Sequence, residues 1–316
     1  MHRSLAGSLA LLAFVWACGG EDDAAEAAED EGASSSGSGR SGASSGSGGG
    51  SSGTGGSGGA SGSGSSGSGS VVPDGGSSGA LQLPPTGILW DYQIGTPYPP
   101  PAGVGLVSRD RGAEPAVGVY NICYVNGFQA QQSENDFWLQ QHPDLVLREG
   151  GEPVIDPDWD EMLLDVGTPE KRTAIAAIVD GWFAECDTKG FQAIEIDNLD
   201  TYARSNGLLA EDDCVAMERL FADAAHARGL AIGQKNSAEI VARKAEMNTD
   251  FAVVEECNRY DECGDFTAGY GERVYVVEYR DQDLGKGCAG AHTPTVRRDP
   301  NLVGPGDAAY VYAQCP

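Results

Sequence analysis

Gly190-Phe191-Gln192-Ala193-Ile194-Glu195-Ile196-Asp197-Asn198-Leu199-Asp200 is an apolar run that turns acidic as it ends. Asp250-Phe251-Ala252-Val253-Val254-Glu255-Glu256-Cys257 repeats that plan further along the chain. Near-continuous apolar runs suit strands buried on both faces of a parallel sheet, so the acids sit where each strand leaves the core. In parallel α/β folds that rim is where ligands bind. Two such acids facing one cleft suffice for general acid/base or nucleophilic chemistry, while the plainer reading is a pair of helix-capping turns.

Strands and helices alternate around these two segments. Strands are expected at Ile88–Ile94, Val104–Ser108, Val117–Val125, Phe191–Ile196, Leu230–Gly233, Phe251–Glu255, Val274–Glu278 and Thr293–Val296. Thr168-Pro169-Glu170 is a helix start, with a cap, a proline at the first helical position and an early acid. Ile175, Ile178, Val179, Trp182, Phe183 and Cys186 then follow the spacing of a core-facing helix, and Gly190 ends it. A second helix is expected from about Glu211 to Arg228, closed by Gly229. Eight strands with helices between at least some of them favour an α/β fold of the (β/α)8 TIM-barrel type, although the first strands lack clear intervening helices. The stretch from Gly127 to Val166 is long for a connection and is expected to be functional or partly helical; its Phe137, Trp138 and Trp159, with Tyr124 nearby, could stack on a ligand or on one another.

The N-terminal third reads differently. His2 and Arg3 precede the apolar run Leu5–Trp16, and Val15-Trp16-Ala17-Cys18 follows. That is a charged n-region and a short h-region, too short for a permanent membrane span, with a small residue before a cysteine. The arrangement resembles a bacterial lipobox, although Trp16 is bulky for it. Residues 1–18 are therefore expected to direct export, with Cys18 the lipidated residue. Residues 19–86 are expected to be a disordered tether: an acidic, alanine-rich run, then almost pure Ser and Gly. A Gly/Ser chain of about 55 residues has a span of roughly 40 Å. Residues 87–316 remain for one folded domain.

The net charge is −27, which disfavours nucleic acid and favours cationic ligands. No basic stripe or recognition motif is present, so no nucleic-acid partner is expected. Eight cysteines fit an oxidising compartment. Sequence leaves their pairing open; the expected pairs are Cys257 with Cys263, Cys288 with Cys315 and Cys123 with Cys186, leaving Cys214 unpaired. Nothing has the spacing of a zinc site, and neither metal nor cofactor is expected.

Several strand-end motifs occur in order: Trp90-Asp91-Tyr92-Gln93, Cys123-Tyr124, Glu195-Ile196-Asp197-Asn198-Leu199-Asp200, Ala225-His226-Ala227-Arg228-Gly229-Leu230, Gly233-Gln234-Lys235-Asn236, Glu255-Glu256-Cys257 and Glu278-Tyr279. Together they closely resemble glycoside hydrolase family 114, the endo-α-1,4-polygalactosaminidases with a TIM-barrel domain, over about Leu89 to Arg280 and on toward Cys315. The resemblance implies hydrolysis of α-1,4-linked galactosamine polymers by two carboxylates on the barrel rim. Matched motif to motif, Asp197 and Glu255 are the expected catalytic pair; retaining and inverting routes both stay open, and Asp197 is the nucleophile if the route is retaining, kept ionised by Asn198 or Lys235. Glu255 is the expected general acid/base.

Asp91, Tyr92, Tyr124, Glu195, Asn198, Asp200, Lys235, Asn236 and Glu278 are the candidate substrate-binding residues. Asp91 and Asp200 could equally be caps. Glu195 shares a face with Asp197 by the period of two and could pair with a cation inside the barrel. His226, near a helix C-terminus, is expected to be structural. The expected partner is an amino-sugar polysaccharide, and the expected location is the cell envelope (outer membrane or cell surface), through the lipid on Cys18, with ordinary secretion as the alternative. No sequence feature sets the oligomeric state, and a monomer is expected. Two other readings stay open: a non-catalytic carbohydrate-binding surface protein on the same barrel, and a metal-assisted hydrolase or lyase.

Overall fold

The computed structural model describes residues 81–290 and 293–315. The leader, Cys18 and most of the tether lie outside the described residues.

Eight parallel strands follow one another around the sheet in chain order: β1 (Leu89–Tyr92), β2 (Val104–Asp110), β3 (Tyr120–Asn126), β4 (Ala193–Asp197), β5 (Ala231–Lys235), β6 (Phe251–Glu255), β7 (Val274–Glu278) and β8 (Thr295–Arg298). A ninth, β9 (Tyr312–Gln314), adds antiparallel to β8. β8 comes back beside β1, and side chains close the seam. Buried Arg298 donates to Asp91 Oδ1 at 2.9 Å and to the Tyr92 carbonyl, while Gln314 donates to the Trp90 carbonyl at 2.9 Å. The expected TIM-type barrel is present.

Helix α1 (Pro169–Lys189) begins and ends as its sequence dictates. Thr168 Oγ1 accepts the Lys171 N–H at 3.3 Å, and Gly190 takes a left-handed φ of 94°. Its Ile175, Val179, Phe183 and Cys186 are buried against the outer face of the sheet, with α2 (Glu211–Ala227) alongside. The first two links of the barrel carry no helix. Pro97, Pro99, Pro100 and Pro101 occupy the link from β1 to β2, where each removes a backbone donor. The third strand starts at Tyr120 rather than Val117, because Gly118 turns the chain at φ 80° and leaves Val117 99% exposed.

Residues 127–166 form a helix, Asn135–Gln141, and a small antiparallel sheet of Gln129–Ala130, Ile155–Asp156 and Glu161–Leu163. Trp138 is buried there, so it belongs to the core and not to a binding surface. Disulfides join Cys123 to Cys186, Cys257 to Cys263 and Cys288 to Cys315, and Cys214 is a buried free thiol, as its place on the inner face of α2 requires.

Candidate active site

Alternation along the strands builds the barrel interior in layers. The floor is apolar, with Ala193, Ala231, Phe251 and Tyr275 among its members. Gly233 is required just above it, because a Cβ there would stand 2.4 Å from the Phe251 ring. One step higher the interior becomes polar. Tyr92 and Ser108 donate to the two oxygens of buried Glu195 at 2.7 and 2.5 Å. The same period of two then places Asp197, Lys235 and Glu255 at the upper ends of β4, β5 and β6.

Lys235 organises that top layer. Its Nζ lies 3.2 Å from Asp197 Oδ1, 3.2 Å from Glu255 Oε2 and 3.4 Å from Glu195 Oε1, and it donates to the Tyr92 hydroxyl at 3.1 Å. Burial acts to lower its pKa, but Asp197, Glu255 and Glu195 outweigh that and hold it well above the usual lysine value. Tyr124 donates to Asp197 Oδ2 at 2.6 Å, and the Asn198 backbone N–H donates to Oδ1 at 2.9 Å. Burial acts to raise the Asp197 carboxyl; Lys235 and these hydrogen bonds overcome it and leave Asp197 below the ordinary carboxylate range. Glu255 accepts from Tyr279 Oη and, at 3.4 Å, from Asn236 Nδ2. Glu256, next along, pairs with Arg259 at 2.7 Å.

Left-handed backbone recurs where these strands end, at Asn198 (φ 69°), Asn236 (φ 49°), Ser237 (φ 63°) and Glu256 (φ 57°). Strain of this kind persists where the surroundings fix it and collects at functional sites. Here it turns the chain sharply away from the acids, which keeps a cavity open above them. That cavity has a volume of about 440 Å³ and is lined by Tyr124, Asp197, Lys235 and Glu255 below and by Trp159, Glu161 and Arg204 on its walls. Asp197 and Glu255 remain 17% and 27% exposed to it, whereas Lys235 is 2% exposed. Such an arrangement offers one fixed anion, a second carboxylate and an enclosed space for a ligand. Cys257, Cys263 and Glu278 lie close enough together to ligate an ion, but both cysteines are tied in a disulfide and offer no thiolate.

The model of glycoside-hydrolase family GH114 matches residues 74–316. The chain belongs to that family. As a GH114 member it is a glycoside hydrolase. Among solved structures it is similar to Aspergillus fumigatus Ega3, crystallised in complex with galactosamine, with a TM-score of 0.59, 21% identity and coverage of 74% of this chain and 98% of that one. The glycoside hydrolase domain of PelA from Pseudomonas aeruginosa follows at a TM-score of 0.44 and 14% identity, covering 70% and 97% of the two chains. No curated protein matches the chain.

Set against the motifs that pointed to GH114, the structure brings Asp197, Glu255, Tyr124, Asn198, Asp200, Lys235 and Asn236 to one cavity. Tyr92 and Glu195 lie in the layer beneath it and reach it only through Lys235. Asp91 and Glu278 are corrections to the expectation that they meet substrate. Asp91 points outward between Trp90 and Tyr92 and is buried against Arg298, Tyr98 and Gln93. Glu278 faces outward from β7 and accepts the Asn258 N–H at 2.8 Å. Alternation gives the reason: Tyr275, Val277 and Tyr279 are the inward residues, so Tyr279 reaches Glu255 where Glu278 was expected. Asp200 lies on the wall but is held by the two terminal guanidinium nitrogens of Arg204, at 2.7 and 2.8 Å. Glu161 and Arg204 were missed by the sequence reading, since neither sits at a strand end of the barrel.

Proposed function

We propose that this GH114 enzyme is an exported, lipid-tethered glycoside hydrolase that cleaves α-1,4-linked galactosamine-containing polysaccharide with Asp197 and Glu255. The observation that carries the reading is the shared contact of both carboxylates with Lys235 at 3.2 Å, inside one open cavity. Two oxygens that meet the same nitrogen lie no further apart than twice that distance. The proposed route is the retaining one, for which the carboxyl groups stand about 5–5.5 Å apart.

Asp197, ionised by Lys235, Tyr124 and Asn198, attacks the anomeric carbon while Glu255 gives its proton to the departing glycosidic oxygen. Glu255 then takes a proton from water, whose oxygen displaces Asp197 and regenerates the free enzyme. The substrate class is supported by the ordered motifs, by the galactosamine bound in Ega3 and by an acid-lined cavity suited to a cationic sugar. Export and tethering rest on the leader and on Cys18 ahead of the Ser/Gly stretch.

The test is release of reducing ends from a deacetylated α-1,4-galactosamine polymer. Asp197→Asn and Glu255→Gln should each abolish it, and full activity in both variants would remove the assignment. Labelled palmitate should enter the full-length chain and be lost in Cys18→Ala.

A further inference from the structure

The carboxylates of the cavity differ in what neutralises them. Asp197 and Glu255 share Lys235, and Asp200 is paired with Arg204. Glu161 has no cation partner among the described residues. One of its oxygens, Oε2, accepts from Asn126 Nδ2 at 2.8 Å, and the other takes no hydrogen bond from them. Asn126 in turn accepts from Asn198 Nδ2 at 3.0 Å, so Glu161 is anchored to the turn that follows Asp197. Asp110, the other wall carboxylate without a cation among the described residues, folds back onto the Gly112 N–H at 2.7 Å. Glu161 has Trp159 two residues before it on the same hairpin, and that ring is 67% exposed and lines the same cavity.

We propose that Glu161 is a specificity-determining residue whose carboxylate takes the ammonium group of an amino-sugar unit bound beside the Asp197–Glu255 pair, an inference that rests on the amino-sugar reading above. The charged groups around it make a cation the fitting occupant. Asp197, Asp156 and Glu134 face Glu161 as like charges; each of those three touches a cation, Lys235, Arg204 and Arg111 in turn, whereas Glu161 touches none among the described residues. Burial first, then these acids, push the Glu161 carboxyl up to about 7 against the Asn126 hydrogen bond. A half-buried acid in that state gains from an incoming ammonium what a neutral N-acetyl group does not offer. The Trp159 ring beside it supplies the apolar surface that a sugar face needs.

The experiment compares wild type with Glu161→Gln, which keeps an acceptor for Asn126, on α-1,4-galactosamine oligomers that are either fully deacetylated or fully N-acetylated. For the deacetylated oligomer KM should rise by about tenfold or more, the loss of one charge-assisted hydrogen bond, with kcat little changed. Behaviour toward the N-acetylated oligomer should not move. Because Glu161 ionises as pH rises through about 7, the KM gap between the two proteins should widen from mildly acidic pH toward neutrality, while the substrate amine is still an ammonium. Equal KM values at every pH would overturn the proposal. So would a collapse of kcat at unchanged KM, which would make Glu161 a proton donor. A wild type inert toward the deacetylated oligomer would instead remove the substrate assignment itself.

Discussion

Lys235 Nζ stands 3.2 Å from Asp197 Oδ1 with 2% of the lysine side chain exposed, and this contact helps to hold the Asp197 carboxyl below its ordinary value. Removing one member of a buried charge group leaves the others uncompensated, a loss of about 3–5 kcal/mol. Lys235→Met leaves Asp197, Glu255 and Glu195 facing each other without a cation. The variant should lose stability of that order at neutral pH and most of its activity. In wild type the Asp197 carboxyl is held below its ordinary value, so its contribution is fully present above the unfolded value of about 3.9 and is lost as pH falls through the folded one. The gap between variant and wild type should therefore shrink in acid. Urea melts at pH 3.5 and pH 7 check this, and a constant gap would contradict it.

The seam of the barrel gives a prediction that separates structure from binding. Asp91 and Arg298 are both fully buried, so Asp91→Ala takes away the nearer of the guanidinium's two carboxylates and leaves it with backbone carbonyls and Asp299 at 3.7 Å. A loss of about 3–5 kcal/mol is expected. At low temperature, where the variant stays folded, KM should match wild type. A raised KM at unchanged melting temperature would return Asp91 to the binding site.

How far these roles could be read from sequence depends on periodicity. The inner face of β4 was legible because Ala193, Glu195 and Asp197 alternate with Ile194 and Ile196, and the structure keeps that register. The same rule was available for Tyr92 over Asp91 and Tyr279 over Glu278, but polarity at a strand end drew attention to the acids. Glu161 had no such signal. It lies in a segment whose strands are two or three residues long, too short to carry a period, and its place above the barrel is set by tertiary folding. Arg298 was equally hidden, since closing a barrel depends on a partner some two hundred residues away.

His226 yields a pH prediction on the opposite side of neutrality. Its Nε2 meets Asp250 Oδ2 at 2.8 Å, and that hydrogen bond raises its pKa despite partial burial; Asp223 adds to the rise and Arg219 opposes it. A raised histidine stabilises fully below the unfolded value of about 6.5, and the contribution is lost as pH rises through the folded one. Melting temperatures of wild type and His226→Gln should differ most near pH 5.5 and draw together by pH 9. A difference that grows toward alkaline pH would exclude the charged pair.

Glu218 is the residue whose removal should help. It sits on the inner face of α2, fully buried, and both carboxyl oxygens lack a hydrogen-bond partner among the described residues. Burial alone pushes its pKa well above the ordinary value. The sign follows from linkage: above the unfolded value of about 4.3 the unfolded chain releases this proton and the folded one retains it, so rising pH favours unfolding. Methionine has similar length and no oxygens to desolvate. Glu218→Met should therefore raise stability by about 1–3 kcal/mol near neutral pH, with a smaller gain at pH 4.5. Because Glu218 does not line the cavity, kcat and KM should stay at wild-type values. Urea unfolding at pH 4.5 and 7.5 measures both effects. A destabilised variant would mean that the Glu218 carboxyl has a buried partner whose loss outweighs its desolvation, and an equal gain at the two pH values would remove ionisation as the cause.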